Sequence, residues 1–204
     1  IAHEIISTKN AISILSNVYL ETNNNTLIIK ASDVNVSFQT SLPVNSIENG
    51  STTVFCDKLL GILSSIPDGE IEFELKDNKI IIKPSFKKIK FQLKSISSEK
   101  YPEFPASDSI NFFEIPIKNF KSMITQTIFS ISDDETRYFM NGIFLDYVDN
   151  SKLIMVATDG RRLAYINNTF NDLPEFSGII VPPKILSLIL KKASDEGNIA
   201  IGIS

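Results

Sequence analysis

Chemistry would have to start from very few side chains in this sequence. There is one histidine, His3, and one cysteine, Cys56. A hydrolytic triad needs a base beside its nucleophile. Neither residue has the other near it in sequence, so His3 reads as an ordinary half-exposed histidine and Cys56 as a buried thiol. The same count excludes zinc, whose sites draw three or four ligands from Cys, His and carboxylates. The acidic run Asp133-Asp134-Glu135 has the oxygens for a divalent cation. It falls between a helix and a strand, however, where carboxylates cap turns. No G-x-x-x-x-G-K or G-x-G-x-x-G phosphate loop occurs. Nothing in the chain asks for an enzyme, and no cofactor or metal is expected.

The 204 residues, 43% hydrophobic and 22% charged, suffice for one large domain or two small ones with real cores. Apolar runs such as Ile179 to Val181 and Ile185 to Leu190, the latter broken by Ser187, fall far short of the roughly 20 residues a membrane span needs. A soluble protein is expected. One cysteine cannot form an internal disulfide, which fits a reducing compartment. No signal peptide is present, and the chain opens at Ile1 without an initiator Met, so its start is expected to be cut or missing.

The elements that would position any site come in two copies. Asn17-Val-Tyr-Leu-Glu followed by Leu27-Ile-Ile-Lys-Ala-Ser-Asp33 is matched by Gly142-Ile-Phe-Leu-Asp followed by Leu153-Ile-Met-Val-Ala-Thr-Asp159, 125 to 126 residues later. Val54 to Leu63 is matched by Ile180 to Ile189 at 126 residues, and Gly69-Glu-Ile-Glu-Phe by Gly197-Asn-Ile-Ala-Ile at 128. Four elements in one order with so little drift make the chain two copies of one unit. Strands rich in Ile, Val, Phe and Tyr, with Ile71, Phe73 and Leu75 alternating against Glu70, Glu72 and Glu74, predict sheets with one buried face. Ile117, Phe120, Ile124 and Ile128 predict a helix over 117–131, and Leu59, Leu60, Ile62 and Leu63 a second apolar stripe. Asp57 suits an N-cap and Pro183 a first turn. Each copy is therefore expected to be α+β, two helices on one face of an antiparallel sheet. The expected domains are 1–107 and 108–204, parted where Pro102 and Pro105 interrupt regular structure. The first is expected to lack much of its N-terminal helix and the second its C-terminal hairpin. Asp33 and Asp159, each after Ala and a hydroxyl residue, recur because the fold needs them in a turn.

Charge is segregated. The net charge is −4, yet Ile117 to Ser132 holds Lys118 and Lys121 with no acid, and Ile180 to Lys192 holds Lys184, Lys191 and Lys192 with no acid. The other two helical pieces sum to zero, which leaves −9 on the remainder. Two basic helices in an otherwise acidic chain point to one positive surface that meets a polyanion.

Three stretches carry a family resemblance: Arg137-Tyr-Phe-Met-Asn-Gly142, Val156-Ala-Thr-Asp-Gly-Arg-Arg-Leu-Ala164, and Ile180-Val-Pro-Pro-Lys184. With Ile14-Leu-Ser-Asn-Val-Tyr-Leu and the Ile66-Pro-Asp-Gly turn of the first copy, the whole chain resembles the bacterial DNA polymerase III β subunits, the replicative sliding clamps. That family has three similar domains per subunit, so the resemblance implies a tandem array of clamp-type domains of which this chain holds most of two. It further implies a cytoplasmic, non-catalytic processivity factor. Two full-length subunits would form a homodimeric ring with a helical, positive inner wall around duplex DNA, held by sequence-independent phosphate contacts. Its protein partners would be the catalytic subunit of DNA polymerase III, the clamp loader, and other replication and repair proteins carrying clamp-binding peptides.

Positions matching the family's DNA contacts are Lys9, Tyr138 and Phe139. Asp57 falls where the family has a basic residue, with Lys58 beside it, and Asp134 falls at a neutral polar position. Lys118, Lys121, Lys184, Lys191 and Lys192 are the candidates for the inner wall read from charge alone. The peptide cleft of the family matches Met140, Thr158, Gly160, Arg161, Arg162 and Leu163 here, with Arg161 where a histidine is common. Met140 and Leu163 would supply apolar walls, Gly160 close backbone approach, and Arg162 donors for peptide carbonyls. The alternative reading is a non-ring adaptor that docks linear peptides through the Met140 and Leu163 region.

Overall fold

Strand, turn, strand recurs in both halves of the computed structural model, which describes residues 1–6, 12–104, 110–149, 151–171 and 173–203. The chain divides into two units, Ile1–Phe104 and Pro105–Ser204. In unit 1 a short helix α1 (Ala2–Ile5) and a 3₁₀ turn (Ser13–Ser16) lead to β1 (Asn17–Asn23), β2 (Thr26–Ser32), β3 (Ser37–Pro43) and β4 (Gly50–Phe55). Helix α2 (Cys56–Ser65) follows, then β5 (Ile71–Lys76), β6 (Lys79–Pro84) and β7 (Phe91–Ile96). The antiparallel strands form one sheet in the order β3-β2-β1-β4-β7-β6-β5. Its tight hairpins are built by Asn24-Asn25 and Asp77-Asn78, all four at positive φ, the conformation that two-residue hairpin turns require and Asn and Asp tolerate.

Unit 2 runs β8 (Phe112–Pro116), α3 (Ile117–Thr125), a 3₁₀ turn (Ile128–Ser130), β9 (Ile143–Val148), β10 (Lys152–Thr158), β11 (Leu163–Thr169), β12 (Ile179–Val181), α4 (Pro183–Lys192) and β13 (Asn198–Gly202). Its sheets are β11-β10-β9-β12 and β13-β8. The order β11-β10-β9-β12 repeats β3-β2-β1-β4, as the sequence copies require. In each unit the two helices pack side by side, α1 on α2 and α3 on α4. Ile124, Met123, Leu145, Leu153, Met155 and Leu186 close the core of unit 2 with almost no exposure, each such side chain contributing about 1.5–3 kcal/mol of burial.

The structure corrects four expectations. The helix expected over 117–131 stops at Thr125. The hydroxyls of Thr125 and Thr127 donate to the carbonyls of Lys121 and Met123 four residues back, both at 2.8 Å. That local bonding competes with helix continuation, and Ile128 passes into a 3₁₀ turn. Helix α2 is entered from Phe55 with no side-chain cap. Asp57 sits inside its first turn, 3.2 Å from His3 Nε2, and Leu60 of the expected apolar stripe is exposed. In β5, Phe73 and Leu75 are exposed instead of buried. The residues of the counterpart strand β13 are less exposed: Ile199 and Ile201 pack against the core of unit 2. The intervening Glu72 and Glu74 are tied by Lys83 of β6 at 3.0 and 2.7 Å.

Candidate functional site

Two turns and one aromatic side chain of unit 2 make the site. The first turn joins β10 to β11. The Thr158 hydroxyl donates to the Arg162 carbonyl at 2.7 Å and accepts the Gly160 N–H at 3.1 Å. Asp159 Oδ1 accepts the N–H groups of Arg161 and Arg162 at 2.9 and 3.0 Å, and Oδ2 accepts from Arg162 Nε at 3.0 Å. Those backbone donors, and then the Arg162 side chain, hold the Asp159 carboxyl below its ordinary value. Gly160 has φ +86°, left-handed backbone that favours glycine.

The same turn exists in unit 1. Val34 N–H donates to Ser32 Oγ at 3.2 Å, and Asp33 Oδ1 accepts from Asn35 and Val36 at 3.1 and 2.8 Å. Asp33 and Asp159 thus do the work in a turn that their recurrence implied. Val34 occupies the position of Gly160 and takes the same left-handed backbone, φ +83°.

The second turn of the site spans Ser132 to Gly142. Asp134 Oδ1 accepts from the Thr136 N–H at 3.0 Å and hydroxyl at 2.6 Å, and its Oδ2 lies 3.3 Å from Arg137 Nε. The Thr136 donors, with the Arg137 charge a smaller contributor, keep the Asp134 carboxyl below its ordinary value. Its carboxylate therefore serves the turn. Among the described residues, no three or more His, Cys, Asp or Glu side chains gather to hold a metal ion. Ser132 and Asn141 close the base of the turn, with Ser132 N–H donating to the Met140 carbonyl at 3.0 Å and Asn141 Nδ2 to the Ser132 carbonyl at 2.8 Å.

Arg137 brings the two turns together, since a Cβ on Gly160 would stand 3.9 Å from its Nη1. Phe129, in the 3₁₀ turn after α3, lies under the Arg162 guanidinium, 5.6 Å from ring centroid to Cζ. Met140 and Thr158 are half-buried and Gly160, Arg161, Arg162 and Leu163 exposed, with Leu163 65% accessible. The result is apolar surface bordered by guanidinium groups and free backbone, which suits an extended peptide. Arg137 and Phe129 were not among the site residues read from sequence, because no spacing rule links them to residues 158–163.

The DNA-contact candidates are scattered. Tyr138 and Phe139 stand exposed at the tip of the second turn, edge to face with centroids 5.5 Å apart. Lys118 on α3 and Lys191 and Lys192 on α4 are exposed, Lys184 is half-buried, and Lys58 is exposed on α2. Lys121 departs from the inner-wall reading. Its side chain is only 16% exposed and ion-paired with Asp195, and its Nζ also donates to the Ala193 carbonyl at 3.1 Å. It ties α3 to the loop after α4 and offers little to a phosphate. Lys9 lies outside the described residues. Cys56 is buried, and burial first, then the Asp57 charge, pushes its thiol up to about 11. It is a protonated packing residue at neutral pH. No helix among the described residues is long and apolar enough to cross a membrane.

Two α+β units with one strand order, each pairing two helices with antiparallel sheet, define a tandem clamp-type fold. Residues 1–105 match the model of the DNA polymerase III beta subunit N-terminal domain, and residues 114–204 that of its central domain. The chain belongs to the DNA polymerase III beta subunit family. It is 43% identical, over its whole length, to the beta sliding clamp of Treponema pallidum and covers 55% of that protein. It is 31% identical to the beta sliding clamp of Rickettsia bellii, with 97% of this chain and 52% of that one aligned. The crystal structure of a sliding clamp from Bartonella birtlesii bound to griselimycin superposes with a TM-score of 0.90 at 30% identity, covering all of this chain and 56% of that one. The chain spans about half the length of the curated relatives it matches.

Proposed function

We propose that this chain supplies the first two domains, 1–107 and 108–204, of a sliding clamp: a non-catalytic subunit that closes as a homodimer around duplex DNA in the cytoplasm. The observation that carries the reading is that both units match successive domains of one clamp family, in that family's order, over residues 1–105 and 114–204. The charge distribution supports it. The exposed lysines of α3 and α4 offer a face for phosphates, while the acidic remainder repels them. A ring needs only weak, sequence-independent contacts, because enclosure and not affinity retains it.

The Met140, Thr158, Gly160, Arg161, Arg162 and Leu163 surface is the half-cleft we assign to partner peptides, those of the polymerase catalytic subunit, the clamp loader and repair proteins. Apolar Leu163 and Met140 would seat side chains, and the guanidinium groups would take main-chain carbonyls. Griselimycin, the ligand of the Bartonella birtlesii clamp, is the probe we assign to the same surface. Lys118, Lys184, Lys191, Lys192, Lys58, Tyr138, Phe139 and Lys9 are the proposed DNA contacts.

The test is retention on DNA. The complete subunit, once loaded, is expected to stay on nicked circular DNA and leave when the circle is linearised by a restriction enzyme. Equal rates of loss from both would reject the ring.

A further inference from the structure

The two units repeat one turn, with three internal hydrogen bonds in common, but decorate it differently, which separates the residues that make the turn from those that use it. Asp33 and Asp159 make it. Where unit 2 carries Arg161, Arg162 and Leu163, unit 1 carries Asn35, Val36 and Ser37. Phe129 is 58% exposed, although its neighbours Ile128 and Ser130 in the same 3₁₀ turn face inward, Ile128 packed on the core and Ser130 buried. The fold gains little from a benzyl group left in water. What the ring does meet is the Arg162 guanidinium.

We propose that Phe129 contacts the ligand of the peptide site and positions Arg162 for it, an inference that rests on reading the Met140 to Leu163 surface as that site. Arg162 is held from three directions: its N–H by Asp159 Oδ1, its Nε by Asp159 Oδ2, and its guanidinium plane by the Phe129 ring. The terminal Nη groups make no hydrogen bond among the described residues. Among the described residues four N–H donors are thus held in place and unspent, and a guanidinium already fixed loses little freedom on taking an acceptor. The matching ligand is an extended peptide whose main-chain carbonyl accepts from Arg162 while an adjacent apolar side chain covers Phe129. Unit 1, with Val36 in the place of Arg162, keeps the turn without a guanidinium on it.

Calorimetric titration of the chain with griselimycin tests this. Phe129→Leu keeps apolar bulk and loses the π face, so it is expected to weaken binding about threefold, the effect of an exposed cation–π contact. Phe129→Tyr restores the face and is expected to bind as the parent does, and all variants should melt with it. The loss from Phe129→Leu should vanish in an Arg162→Gln background, because the ring then has no guanidinium to position. Unchanged affinity in Phe129→Leu, or the same loss with and without Arg162, overturns the inference while leaving the peptide site intact. Leu163→Asp separates the two: if griselimycin ignores that change, or fails to bind the parent chain, the peptide-site reading falls and this inference with it.

Discussion

Replacing Val34 with glycine should stabilise unit 1. Val34 holds φ at +83° and is 67% exposed, a β-branched residue in a region that its Cβ opposes. The turn around it is fixed by Asp33 and Ser32, so the backbone cannot relax without breaking three hydrogen bonds. Strain of this kind costs about 2 kcal/mol. Glycine removes it but raises the entropy of the unfolded chain by about 0.7 kcal/mol. The third of the side chain that is buried is worth about 0.5 kcal/mol. The net gain is about 0.8 kcal/mol, which in a unit of some hundred residues raises the melting temperature by about 3–6 °C. Scanning calorimetry of the chain reads it directly. Val34→Asn should gain as much, because asparagine tolerates this backbone, whereas Val34→Ala keeps the Cβ and should gain less. A melting temperature that falls in Val34→Gly, or rises equally in Val34→Ala, would refute the backbone argument.

Three further outcomes follow from the site and its surroundings. Asp159 has a folded pKa below its unfolded value, so its contribution is complete above the unfolded value and is lost as pH falls through the folded one; a carboxyl-carbon NMR titration should place its midpoint below 3.8. Lys121→Ala should lower the melting temperature of unit 2 by removing the Ala193 and Asp195 contacts. It should leave the salt dependence of DNA binding nearly unchanged, whereas Lys118→Ala should reduce that slope by about one. Cys56, with its thiol near 11, should resist iodoacetamide at pH 8 in the native chain and react once guanidinium unfolds it; native-state labelling at the unfolded rate would contradict the burial.

The repeat made the architecture legible before any coordinates. Leu27-Ile-Ile-Lys-Ala-Ser32 and Leu153-Ile-Met-Val-Ala-Thr158, each with its partner strand, demanded two similar sheets, and the strand orders agree over four strands. Errors came where local pattern met a boundary. Ile128 continues the 3.6-residue stripe of α3, but the stripe cannot report that Thr125 and Thr127 turn their hydroxyls back on the helix. Phe73 and Leu75 alternate correctly with glutamates, but alternation cannot report whether anything packs on the face they share. In the site, Thr158 to Leu163 were legible as one contiguous run, whereas Arg137 and Phe129 reach it only through the packing of separate loops.

The duplicated turn yields one more prediction, because it offers an internal control for Asp159. Asp33→Asn and Asp159→Asn both keep a side-chain oxygen for the two backbone N–H groups, so both turns should survive. In unit 2 the second carboxylate oxygen also holds the Arg162 side chain. Amide nitrogen in place of Oδ2 cannot accept from Arg162 Nε, so Asp159→Asn frees the guanidinium while leaving the turn. Griselimycin affinity should fall about two- to fivefold in Asp159→Asn, the scale of an exposed hydrogen-bonded ion pair, and stay level in Asp33→Asn. Equal affinities in the two variants would mean that the turn alone, and not the orientation of Arg162, makes the site.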